Sequence, residues 1–118
     1  MQLSFYLQNS GAIITLVLGV IALVSPAVIQ RFVSVRAIGK EGLSEIRATY
    51  GGFFVGLGVC ALFYQYQLLF MMLGIAWSFA GIVRFVTLFF GSMSLKNISG
   101  ALFELTIGCL CLSGMLLD

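Results

Sequence analysis

Four apolar runs, each about as long as a bilayer is thick, fill almost the whole of this 118-residue chain, at roughly 11–32, 45–63, 68–90 and 98–117. A hydrocarbon core of about 30 Å is crossed by about 20 apolar residues in a helix. The scarcity of charge points the same way. Only 8% of residues are charged and 61% are hydrophobic, whereas an ordinary soluble domain is roughly 25% charged. So few charged side chains cannot cover the surface of a small soluble domain. The sequence therefore predicts an all-α fold. It is a four-transmembrane-helix bundle, one domain over 1–118, built as two tandem helical hairpins.

The connections set finer expectations. The first span starts near 11, or near Leu3 if Gln8, Asn9 and Ser10 are tolerated inside it. With no Lys or Arg ahead of that run, it is expected to be retained rather than cleaved as a signal peptide. Pro26 is expected to kink or break the helix and tilt 27–37 along the membrane surface; the alternative has Ser25 as N-cap and Pro26 at N1 of a new helix. In RAIGKEGLSEIR (36–47), Gly39 and Gly42 read as loop residues and Ser44 as the N-cap of span two, with Glu45 in its first turn. The uncharged YQYQ (64–67) is too short to separate spans two and three, which are thus antiparallel neighbours. Residues 91–97 turn the chain into span four.

Arg31, Arg36, Lys40 and Arg47 surround the first connection and Lys96 lies in the third. The second connection and both termini carry no base, so the positive-inside rule puts both termini outside the cytoplasm. The sequence also repeats itself. SPAVIQRFVS (25–34) and SFAGIVRFVT (78–87) share six of ten positions. A weaker match sets Val55 to Cys60 on Ile107 to Leu112. Together they suggest a duplicated hairpin.

Ionisable groups inside a span cost about 2.5–3.5 kcal/mol each on insertion scales, so each needs a reason. Arg84 and Glu104 sit about 10 Å from the inner boundary on adjacent antiparallel helices, at matched depth with opposite charge. Arg47 and Tyr50, one turn apart on span two, are expected to join them with Glu45 nearby, forming an intramembrane polar cluster. It reads either as a staple holding the bundle or as a pocket for a lipid headgroup, an anion or a proton. The small residues Ala48, Gly52, Gly56 and Cys60 line one face of span two, and Gly100, Glu104 and Gly108 line one face of span four. Both stripes are expected to let helices approach closely, within the monomer or across a dimer.

Histidine, the commonest metal ligand and general base, does not occur. Cys109 and Cys111 point about 200° apart on a helix and are poorly placed to share a metal. The expectation is therefore no metal, no cofactor and no enzymatic activity. A net charge of +2 with no aromatic-interleaved basic patch excludes nucleic acid as the expected partner.

The stretch EIRATYGGFFVGLG (45–58) resembles the start of the second span in a bacterial family of small four-span integral membrane proteins of unknown function, which reads E-x-R-A-x-Y-G-G. The resemblance makes Glu45, Arg47, Tyr50, Gly51 and Gly52 the family signature and implies a bacterial inner (plasma) membrane protein. It implies no reaction. The first connection here is longer and more basic than the family pattern. The leading functional expectation is a non-catalytic accessory subunit or helix-packing scaffold with an inner-leaflet lipid-binding pocket. Its expected partners are membrane lipid and a homo-oligomer or larger membrane complex. The alternative is a small transporter or channel using the Arg/Glu cluster.

Overall fold

The computed structural model describes residues 2–91 and 93–117, so Ser92 of the third connection lies outside the described residues. The fold is all-α. In chain order come α1 (Gln2–Val24), α2 (Pro26–Val33), α3 (Gly39–Ile46), a π-helical segment (Arg47–Gly52), α4 (Phe53–Tyr64), α5 (Gln67–Thr87) and α6 (Leu95–Leu117). The π-helical segment runs on from α3 into α4, so Gly39–Tyr64 is one helical rod of 26 residues. With Leu3–Val24, Gln67–Thr87 and Leu95–Leu117, this makes four helices long and apolar enough to cross a membrane, as in a multi-pass membrane protein.

The chain divides into two compact units. One is Ala12–Tyr64, and the other combines Met1–Gly11 with Gln65–Asp118. In the first unit the later half of α1 runs antiparallel to the second rod. A Cβ on Gly19 would lie 2.7 Å from the Val55 nitrogen, and one on Gly58 would lie 2.8 Å from Leu16 Cβ. These glycines let the two backbones touch.

α1 stops at Val24 because Pro26 offers no amide hydrogen and forces the residue before it out of helical geometry. Ser25 accordingly leaves helical geometry (φ −139°, ψ 77°), and Pro26 opens α2. This is the break expected from the sequence, although the Ser25 side chain makes no capping bond. Ser34 closes α2 in the left-handed region (φ 60°). The Gln30 side chain then pins the following link, because the Ala37 amide donates to Gln30 Oε1 at 2.7 Å. Ile29 and Ile46 bury against Ala22, with Val33, Ala37 and Tyr50 packed around them.

The start of the second rod corrects one expectation. Ser44 is not its N-cap but lies within α3, which begins at Gly39 with Ile38 before it and Glu41, not Glu45, in its first turn. Gly39 supplies the positive φ of 67° that turns the chain in. Gly42 is helical, since one interior glycine costs a helix only about 1 kcal/mol. It is also needed there, because a Cβ would meet Ala37 backbone atoms at 3.0 Å.

In the other unit α5 and α6 form an antiparallel hairpin. Gly74 packs on Leu112 and Gly81 on Leu105, and Phe70, Ile107 and Cys111 are fully buried. α5 ends in tightened turns, with Phe89 and Phe90 amides bonded three residues back to Val86 and Thr87. α6 starts at Leu95, earlier than expected, because Ser94 Oγ accepts the Asn97 amide at 3.1 Å as an N-cap. One pair of positions aligned by the repeat packs differently. Gly19 is buried on Val55, whereas its counterpart Met72 is 61% exposed.

Candidate functional site: the Arg84–Glu104 fork

Arg84 lies in the last turn of α5, where a cation complements the helix dipole. Its guanidinium makes two parallel bonds to the Glu104 carboxylate of α6. Nε donates to Oε1 at 2.8 Å and Nη2 to Oε2 at 3.1 Å. Such bidentate, charge-assisted pairs are the strong ones, and the pair is formally neutral. The Glu104 side chain is 14% exposed and that of Arg84 34%. The seat for the arginine comes from Gly100, one turn before Glu104 on the same helical face. A Cβ there would lie 3.1 Å from Arg84 Cδ and 3.2 Å from Nε.

Thr87 Oγ1 donates to the Arg84 carbonyl at 2.8 Å, which gives the hydroxyl a partner in apolar surroundings. Arg84, Glu104 and Thr87 line an open groove of about 510 Å³ together with Phe79, Ala80 and Val83. The groove thus sets apolar side chains beside a charged, internally compensated pair. Such a surface suits a molecule with an apolar chain and a polar end.

The other expected members of the cluster lie in the Ala12–Tyr64 unit, and there they do not assemble into a polar centre. Glu45 and Arg47 are exposed. Glu45 Oε2 accepts from Thr49 Oγ1 at 3.0 Å, one turn along the rod. Tyr50 is half-buried against the Ala22, Ile29 and Ile46 cluster, its ring edge-on to Phe54 at 5.9 Å. Glu45, Arg47 and Tyr50 all lie in or just before the π-helical segment, whose wider turn departs from the register of an unbroken α-helix.

The same segment corrects the packing glycines. Gly52 and Gly56 are exposed and have no close packing neighbour from elsewhere in the chain. The contact face instead carries Gly51, packed on Leu23, and Gly58, packed on Leu16. On α6 the expected glycines do sit at contacts, Gly100 on Arg84 and Gly108 on Ser78 and the Gly74 carbonyl. Cys60, Cys109 and Cys111 are all free thiols, Cys111 buried and Cys109 exposed.

Sequence reasoning missed a second polar region, where Gln8, Asn9 and Ser10 were treated only as tolerated. Asn9 and Gln65 exchange amide bonds, Gln65 Nε2 to Asn9 Oδ1 at 2.6 Å and Asn9 Nδ2 to Gln65 Oε1 at 3.3 Å. Ser113 Oγ donates to the Ser4 carbonyl at 3.2 Å and the Leu110 carbonyl at 2.7 Å. Gln8 is 7% exposed, and its Oε1 has no hydrogen-bond partner among the described residues. The available signal was the pair of amides at Gln8 and Asn9 inside an apolar run, facing the amides of YQYQ. A comparison with known protein families, curated proteins and solved structures finds no match to this chain.

Proposed function

We propose that this chain is a non-catalytic membrane protein, an accessory subunit or helix-packing scaffold, whose α5–α6 groove holds a lipid beside the Arg84–Glu104 fork. The membrane proposed is the bacterial inner (plasma) membrane. One observation carries the reading: a forked, glycine-seated ion pair lines an open groove together with apolar side chains. The fork spends both carboxylate oxygens inside the hairpin, which favours holding helices together over relaying an ion. The groove, bordered by Phe79 and Val83, offers an acyl chain a place to lie and offers its polar end a charged border.

The test is purification from native membrane in mild detergent, followed by mass spectrometry of what co-migrates. A retained lipid or a discrete protein partner is the expected result. Val83→Trp, which fills the groove without touching the fork, should release the lipid and leave the fold intact. A monomer that carries neither lipid nor partner, and that gives Glu104-dependent ion flux in proteoliposomes, would replace this reading with transport.

A further inference from the structure

We infer that the stretch from α2 to Arg47 is a docking surface for anionic phospholipid headgroups, built from residues other than those of the α5–α6 groove. Its charge is lopsided. Arg31, Arg36, Lys40 and Arg47 are all exposed, against Glu41 and Glu45, and Glu45 is bonded to Thr49. The stretch therefore carries more exposed basic than acidic side chains.

The geometry of α2 says what kind of partner this charge meets. At 100° per residue an eight-residue helix has room for three sides. One side, at Ile29 and Val33, is taken up by the cluster with Ala22 and Ile46. A second, at Val28 and Phe32, is apolar and partly exposed, at 40% and 51%. Arg31 stands about 60° round from Val28, next to that open side. The link beyond adds Val35 at 42% and Ile38 at 86% exposure beside Arg36. An acidic polypeptide would pair with the bases and leave this apolar ridge wet. A lipid interface takes both, apolar side chains at the acyl boundary and bases among the phosphates.

The display is also rigid. Gln30 Nε2 donates to the Pro26 carbonyl at 3.4 Å, while Oε1 accepts the Ala37 amide, and Ser34 fixes the turn between them. The bases are thus held on an ordered backbone, unlike those of a disordered basic tail. A base near an anionic surface contributes about 1 kcal/mol, or about fivefold in preference.

The experiment places the full chain in nanodiscs of equal phosphatidylglycerol and phosphatidylcholine and counts retained lipids by native mass spectrometry. The wild type is expected to retain the anionic lipid preferentially. Lys40→Gln should lower that preference about fivefold. Arg31→Gln/Arg36→Gln/Lys40→Gln should bring it close to parity, with unfolding temperatures unchanged. Val83→Trp should leave the preference intact, so failure of the groove reading and failure of this one give different results.

A second readout uses Phe32→Trp in a Trp77→Phe background, with quenching by lipids brominated on the acyl chains. Strong quenching supports the assignment. Equal retention of both lipids by the wild type, full preference in the triple variant, or an unquenched water-exposed Trp at 32 would overturn it. So would binding of an acidic polypeptide with no lipid preference.

Discussion

Neutralising Glu104 would leave the Arg84 guanidinium seated on Gly100 with its forked acceptor gone. Breaking one side of a buried pair typically costs 3–5 kcal/mol. Here Arg84 is a third exposed and can extend toward polar surroundings, so Glu104→Gln is expected to cost about 1–3 kcal/mol. Arg84→Met/Glu104→Met, which removes both charges, should be closer to wild type than either single change. Thermal unfolding in detergent measures this, and a single variant as stable as the wild type would remove the staple role. Gln8 offers the opposite case. Its buried Oε1 lacks a bonding partner among the described residues, and such an acceptor costs about 1–3 kcal/mol. Gln8→Met should therefore leave the unfolding temperature unchanged or raise it.

At the scale of elements, the second rod shows what could be read from the letters and what could not. Four spans, the break at Pro26 and the short turn at YQYQ follow from apolar periodicity and from the covalent limits of proline, which act locally. The meeting of Arg84 with Glu104 was legible too, because opposite charges equally far from a short connection on antiparallel helices come level. The face of α4 was not. Whether Gly52 or Gly51 meets α1 depends on the π-helical segment, and no residue pattern announces that choice. Only the packing of Leu23 and Leu16 onto the rod selects it. The consequence is a sharp contrast. Gly58→Leu drives a side chain into the Leu16 backbone and should destabilise by more than about 3 kcal/mol, the upper end for overpacking. Gly56→Leu adds bulk to open space and should leave the monomer's unfolding temperature within error. Equal effects at the two positions would mean that the rod is turned the other way.

For the whole molecule, the uneven placement of bases gives an orientation that can be tested directly. Four of the six Lys and Arg residues fall between Arg31 and Arg47, and none lies at the second connection. With Cys60, Cys109 and Cys111 replaced by Ala, a single Cys at Lys40 should resist membrane-impermeant thiol reagents in intact cells. A single Cys at Tyr66 should react. The reverse pattern would invert the topology. The division into two compact units agrees with the expected joint between the tandem hairpins at one boundary and departs from it at the other. Its boundaries fall inside α1, at Gly11–Ala12, and at Tyr64–Gln65, and only the second lies at a break in the helices.

The fork between α5 and α6 also bears on how the protein meets an energised membrane. A lone charge carried through the field gains or loses about 2.3 kcal/mol per 100 mV. A cation and an anion clasped together and displaced as one do no net electrical work. The fork as a unit is thus blind to voltage, and the pair should stay closed in polarised and depolarised vesicles alike.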